Sequence, residues 1–226
     1  MAKAFAWSYS KAKNYLTCAK RYYEVDIAKN FADSTEQLLW GNEVHKALAD
    51  ACTGKTSLPA SMKDYQIWVD RYAGTDLPGQ LLVEQQYAIT RDFRPTQWFA
   101  GNVWFRSVCD LLRIDGPVAR SVDWKTGKPI HDSRQLMLSA QCVFAHHPQV
   151  KRIYTEFVWL KENDLAAVTP EVFNRDTIVR EWPPVLEIAK EMEHAAATMN
   201  YPPKPGKLCA RYCPVLSCTF HGKRHS

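Results

Sequence analysis

The sequence lacks any run of about 20 apolar residues, the length a helix needs to cross a bilayer. Its opening stretch MAKAFAWSYS also lacks the long apolar core of a secretion signal. A membrane partner is excluded on this reading, and the expected location is the cytoplasm, or the host cytoplasm for a phage-encoded chain. Low-complexity tracts and internal repeats are missing too, which excludes a repeat architecture. Acidic residues are absent from both ends. Lys3, Lys11, Lys13, Lys20 and Arg21 have no acid among them up to Tyr23, and neither do Lys204, Lys207, Arg211, Lys223 and Arg224 after Glu193. With 29 basic and 24 acidic residues in all, those ten leave a body in which acids outnumber bases, although the formal charge is +5. A polyanion path beside a carboxylate-lined metal site would carry this pattern. So would a solvated face with a frayed basic tail.

What the sequence has in quantity is apolar surface. At 226 residues, 46% of them hydrophobic, it can bury one sizeable core and is short for two ordinary enzymes. The expectation is one domain over 1–226, with an N-terminal helical part over 1–75, a sheet core carrying the site over 80–165, and a C-terminal helix with a Cys-rich segment over 175–226. Seven cysteines in a reducing compartment argue against a disulfide framework and for metal binding or burial. Cys52, Cys109 and Cys142 stand singly in apolar contexts and read as small core residues. Cys209, Cys213 and Cys218 crowd into one short basic segment.

Periodicity orders the elements. A first helix is expected from about Ser10 to Lys29, with Ala12, Tyr15, Leu16, Ala19 and Tyr23 at helical spacing and Cys18 on it. A second is expected from Ser34, which has capping-box spacing to Gln37, to Gly54, with His45 in its middle. A third is expected from about Ser61 to Tyr72. The period then changes to two in LLVEQQYAIT, WFAGNVWFRSVCDLLRI and VARSVDWKT, three consecutive strands with a turn at Asp115-Gly116 between the last two. Ser133 can cap a helix to about Ala145, Val150 to Leu160 alternates like a strand, and Pro184 suits the first turn of a helix through Met199. The sum is an α/β fold, a mixed sheet flanked by helices.

Hydrolysis of a phosphodiester calls for a Lewis acid, an activated water and neutralisation of developing charge. Hard divalent cations take oxygen ligands, and two aspartates at the ends of adjacent strands make a cradle for them. Asp110 and Asp123 fit, because a turn at Asp115-Gly116 folds one strand back beside the other. Lys125, two residues after Asp123, falls on the same face of the same strand. An Asp-x-Lys triplet alone is also what a surface strand around Trp124 would show. Here it closes an apolar strand and is followed at once by Gly127, the strand-end setting in which catalytic side chains sit.

In order along the chain these residues resemble the RecB-like branch of the PD-(D/E)XK nucleases, which includes CRISPR-associated and phage exonucleases. SYSKAKNYLTCAKRYYE supplies that family's opening helix with Ser10, Tyr15, Cys18, Tyr22 and Tyr23. GNEVHKAL supplies its Gly-x-x-x-His helix in Gly41 and His45, Glu84 its strand Glu, and Asp110 its strand-end Asp. Asp123, Lys125, Thr126 and Gly127 match Asp-x-Lys-Thr-Gly, and Gln135 opens its Gln helix. Ser107 stands where the family has Gly and Ser139 where it has Tyr. The resemblance implies a restriction-endonuclease-like core in which His45, Asp110, Asp123 and the backbone carbonyl of Trp124 bind one or two Mg²⁺ or Mn²⁺ ions. It also implies that Lys125 positions the water, with Gln135 and Glu84 in the same site. Gly41, one turn before His45, would leave room above the imidazole.

A subset of that family joins its ends through a four-cysteine iron–sulfur cluster, and Cys18, Cys209, Cys213 and Cys218 match its arrangement, with three residues in place of two between the first terminal pair. A 4Fe–4S cluster is the reading the resemblance favours. Structural zinc, with His221 exchanged for one Cys, is the alternative. The expected activity is a metal-dependent DNA exonuclease acting on single strands or duplex ends in recombination, repair or phage DNA processing, alone, as a homo-oligomer or with a recombination partner. A structure-specific nicking endonuclease and a non-catalytic DNA-binding adaptor of the same fold are the rivals. Tyr9, Tyr15, Tyr22, Tyr23 and Trp40 could stack on unpaired bases or pack the helices onto the sheet.

Overall fold

The structure is a computed structural model that describes residues 5–31, 36–130, 132–162 and 164–224. Its helices are α1 (Tyr9–Thr17), α2 (Ala19–Tyr22), α3 (Glu36–Cys52), α4 (Gln66–Ala73), α5 (Arg134–His146) and α6 (Pro183–Thr198). Its strands are β1 (Gln80–Ile89), β2 (Pro95–Thr96), β3 (Phe105–Asp115), β4 (Val118–Lys125), β5 (Arg152–Trp159) and β6 (Val168–Asn174). The chain divides into two compact units, one of residues 36–181 and one of residues 5–31 with 182–224.

The 36–181 unit is a mixed sheet flanked by helices. Its strands lie in the order β2-β1-β3-β4-β5-β6, and every neighbouring pair is antiparallel except β4 and β5. A parallel pair needs a crossover, which α5 supplies. Asp115 pairs with Val118, so the β3–β4 hairpin turns on Gly116 and Pro117, one residue later than the expected turn. Gly116 takes φ 52°, which a residue without Cβ adopts at no steric cost. Gly79, at φ 87°, is stricter, since a Cβ there would sit 2.3 Å from the Ile114 carbonyl oxygen.

One stripe of α3, Val44, Leu48 and Cys52 at intervals of four, is buried against Trp68 and Tyr72 of α4 and against Leu111, Val122, Trp124 and Val158 of the sheet. Full burial of each large apolar side chain contributes about 1.5–3 kcal/mol, so this cluster anchors α3 to the sheet. Val83 packs on the same cluster. Tyr87, which strict alternation would place on the same face as Val83, instead bonds His147 just beyond α5, Tyr87 Oη to Nε2 at 2.7 Å. Likewise Leu111 faces the α3 cluster whereas Cys109 lies 3.0 Å from Ser139 Oγ of α5. Both strands therefore turn over between these positions, where Glu84 takes φ 52°. The register is continuous on either side, Val83 opposite Leu111 and Gln85 opposite Cys109, which sets Glu84 across from Asp110.

Several expectations shift. The strand expected from Trp98 starts at Phe105, because residues 97–103 form turns closed by Ala100 N–H to Gln97 O at 3.1 Å and Val103 N–H to Ala100 O at 3.3 Å. The third helix opens as 3₁₀ over Ala60–Tyr65 before α4. Ser133 flanks α5 without a side-chain cap bond. Strand β6 was not expected: Pro170 argues against a strand in sequence, but β6 is the sheet edge, where a missing donor is tolerated. Ser34, the expected cap of α3, lies outside the described residues.

In the second unit the long first helix is interrupted. Cys18 is extended, φ −168°, between α1 and α2, and a π-helical turn follows over Tyr23–Ile27, so Cys18 does not lie within a helix as expected. The break is bridged by Cys18 N–H to Asn14 O at 2.9 Å and Tyr22 N–H to Cys18 O at 3.0 Å. Tyr22 is buried and its ring meets Tyr15 at 5.7 Å and Tyr201 at 6.1 Å, while Tyr23 meets Tyr201 at 4.8 Å. Tyr22 lies in the unit's interior, and the half-buried Tyr15, Tyr23 and Tyr201 pack around it.

Candidate active site

A second stripe of α3, Gly41, His45 and Ala49, again at intervals of four, lines an open cleft of about 740 Å³. Glu84, Val108, Asp110, Trp124 and Lys125 line it from the sheet. Burial of the neighbouring stripe thus aims His45 at the sheet. Its Nδ1 lies 3.3 Å from Asp110 Oδ1. The other oxygen of Asp110 accepts the Trp124 backbone N–H at 2.8 Å, so β4 fixes a carboxylate of β3. Ligand atoms of His45, Glu84 and Asp110 all fall within 4.8 Å of one another, and among the described residues no other metal-ligating trio is so close.

Asp123 stands where the β3–β4 register, Leu111 opposite Val122, would next place it, across from Asp110. Both its oxygens are engaged, Oδ1 by Lys125 Nζ at 2.6 Å and Oδ2 by Gln135 Nε2 at 2.5 Å. Lys125 Nζ also donates to Gln135 Oε1 at 2.9 Å and lies 4.7 Å from the centre of the Phe157 ring. Three carboxylates thus form a row across β1, β3 and β4, an arrangement that like-charge repulsion disfavours. Burial, then the charge of Asp110, pushes the Asp123 carboxyl up to about 6. Burial and Asp110 likewise raise Glu84, although its side chain reaches solvent. Burial alone would lower the His45 imidazole, but its bond to Asp110 and the surrounding negative charge outweigh that and raise it.

The structure brings His45, Glu84, Asp110, Asp123, Lys125 and Gln135 together. It assigns Gly41 a looser part than expected, because a Cβ there would meet only Thr126 Oγ1, at an ordinary 3.5 Å. Ser139 faces Cys109 rather than the cleft. Sequence reasoning missed the Trp124 amide and the Phe157 ring under Lys125. The first has no sequence signal at all, and the second is one apolar residue among several in an alternating strand.

In the second unit a cavity of about 250 Å³ is lined by all four of Cys18, Cys209, Cys213 and Cys218, together with Lys20, Arg21, Lys204 and Lys207. Lys204 N–H donates to Cys18 Sγ at 3.3 Å. Burial first, then Cys209 and Cys18, pushes the Cys213 thiol up, although a backbone bond at Val215 and Arg21 oppose this.

The family model described as the PD-(D/E)XK nuclease superfamily matches residues 6–218 of the chain. Curated protein sequences contain no match. Among solved structures, a candidate exonuclease from Eubacterium rectale shares the fold at 14% identity and TM-score 0.52, over 93% of this chain and 87% of that one. SSO0001 aligns at 10% identity and TM-score 0.42, over 97% and 88% of the two chains. LHK-Exo, solved in complex with dAMP, aligns at 13% identity and TM-score 0.32, over 84% and 97%.

Proposed function

Because the chain belongs to the PD-(D/E)XK nuclease superfamily, we propose that it is a divalent-metal-dependent DNA exonuclease whose site is His45, Glu84, Asp110, Asp123, Lys125 and Gln135. The observation that carries this reading is the row of three carboxylates, with Glu84, Asp110, His45 and Lys125 on the wall of one open cleft and Lys125 bonded to Asp123. The donor set fits a hard cation, since convergent carboxylates relieve their mutual repulsion by sharing one. His45, Glu84 and Asp110 would hold Mg²⁺ or Mn²⁺, with Asp123 and the carbonyl of Trp124 completing the cradle. When bound, the cation supplies Lewis acidity to the scissile phosphate. Lys125 Nζ, paired with Asp123, would position the attacking water, and Gln135 bridges the two and keeps the lysine on that side of the cleft. Trp124 N–H holds Asp110 in orientation toward His45.

Cys18, Cys209, Cys213 and Cys218 are proposed as ligands of a 4Fe–4S cluster. Four thiols line one cavity, and four cationic side chains around it offset the negative charge of thiolates. The cavity is far larger than one ion needs. A tetrahedral zinc, at about 2.3 Å from each sulfur, would draw its sulfurs to about 3.8 Å from one another, and no three of these sulfurs are among the ligand groups within 4.8 Å.

The test is cleavage of end-labelled linear single- and double-stranded DNA beside a covalently closed circle, with Mg²⁺, Mn²⁺ or EDTA. Metal-dependent loss of the linear forms with survival of the circle is expected. Nicking of the circle would support an endonuclease, and binding without cleavage an adaptor.

A further inference from the structure

The loop between β2 and β3 presents an aromatic ring to solvent that nothing in the acid row uses. Phe99 is 89% exposed, the most exposed of the large hydrophobic residues described. The loop beneath it is braced: Arg106 Nε donates to the Trp98 carbonyl at 2.9 Å, and the Arg106 guanidinium lies over the Trp98 ring, 5.4 Å from its centre. Thr96 Oγ1 bonds Asn102 Oδ1 at 2.7 Å across the loop. Charge over residues 90–106 comes from Arg91, Arg94 and Arg106 against Asp92 alone, and the Arg91 guanidinium lies over the Trp104 ring at 6.0 Å. A rigid aromatic tip set among arginines is the chemistry that stacks on a nucleobase and holds its phosphates.

The strand that leaves this loop at Phe105, β3, also carries Asp110 of the acid row. Cys109 faces α5, so Val108 and Arg106, which alternate with it, project to the other side, where Val108 lines the cleft beside Asp110. Gln86, paired with Val108, is exposed as well. An open strip therefore runs along β3 from Asp110 over Val108 to Arg106 and on to the Phe99 loop. Four residues at about 3.3 Å each make roughly 13 Å from Asp110 to Arg106. That is about four nucleotides at roughly 3.4 Å per stacked base.

We propose that this strip binds an unpaired DNA strand, with Phe99 stacked on a base beyond the roughly four nucleotides that separate Arg106 from the phosphate at the acid row. A base inside a duplex has both faces covered, so the stack selects single-stranded DNA or a frayed end. The inference rests on the nuclease reading for what happens at the acid row, but the binding it predicts needs no cleavage.

Fluorescein-labelled oligo-dT of four, eight and twelve nucleotides, titrated with the full chain in Ca²⁺ and followed by anisotropy, tests it. The native protein should gain affinity between four and eight nucleotides, and Phe99→Ala should lose that gain, binding the eight-mer roughly tenfold more weakly. Phe99→Trp should keep it. A 2-aminopurine placed in the eight-mer should be quenched by the native chain and brighter with Phe99→Ala. Equal affinity of Phe99→Ala and native chains for the eight-mer, or an equal loss on a duplex of the same length, overturns the proposal. A chain that shows the Phe99 dependence yet never cuts DNA overturns the nuclease reading and leaves the strip standing. A chain that cuts DNA while Phe99→Ala binds like the native form does the reverse.

Discussion

Glu84 holds φ 52° in the middle of a strand, a region that costs a residue with Cβ of the order of 1 kcal/mol or more. It lies in the register across from Asp110 and within metal-ligand reach of it and of His45. Stability and metal binding should then separate at this residue. Glu84→Gly is expected to raise the metal-free melting temperature, by about 1 kcal/mol of stability, and to abolish the further rise that Mn²⁺ gives the native chain. A melt with no gain in stability would remove the argument from strain. At Lys125 the expectation is opposite in kind: Lys125→Ala should lower kcat on linear DNA by about 10²–10⁴-fold with melting little changed, since the side-chain partners of Lys125, namely Asp123, Gln135 and the Phe157 ring, all belong to the site. Loss of both activity and cooperative melting would make it a structural residue.

At the scale of elements, the start of β1 and the C-terminal end of α5 decide the outcome. Gly79 precedes β1 where a Cβ would run into the Ile114 carbonyl, so Gly79→Ala is expected to cost about 2–4 kcal/mol through positive φ and backbone collision together, read by urea unfolding. A matched Gly54→Ala, at φ 69° with nothing within 4 Å, should cost only the smaller φ term. Beyond α5, burial and then the neighbouring His146 lower the pKa of His147, whose Nε2 lies 2.7 Å from Tyr87 Oη. The folded chain prefers the neutral ring, while the unfolded chain takes a proton at the ordinary value near 6.5. Stability is therefore full above that value and is lost as the pH falls below it toward the lowered value of the folded chain. Melting between pH 7 and pH 5 should fall less steeply in His147→Gln than in the native chain. The strands show how far pattern reading reaches. β1, β4 and β5 announce themselves by alternation, whereas the expected start of β3 at Trp98 falls in an apolar-rich stretch whose residues 97–103 are held in turns. β6 was missed because its Pro170 is permitted only by an edge position that no local pattern reveals.

At the scale of the whole molecule, each of the two units carries one ligand set, the carboxylate row in residues 36–181 and the four cysteines in the other. Protein purified under anaerobic conditions is expected to carry iron and sulfide with visible charge-transfer absorption. Cys18→Ser should lose the colour and the iron. Stoichiometric zinc without iron would instead favour the alternative. The sequence alone determined the α/β class, the membership of His45, Glu84, Asp110, Asp123, Lys125 and Gln135 in one site, and the grouping of four cysteines distant in the chain. The class follows from alternation and helical spacing, whereas the two groupings follow from the resemblance of these residues and their order to the family. Only the tertiary structure decided that β1 and β3 turn over at Glu84 and Asp110, that the Trp124 amide orients Asp110, that Cys18 sits in a helix break, and that Phe99 stands in solvent. Those facts depend on backbone torsions and on contacts between residues far apart in sequence, and neither leaves a periodic trace in the residues themselves.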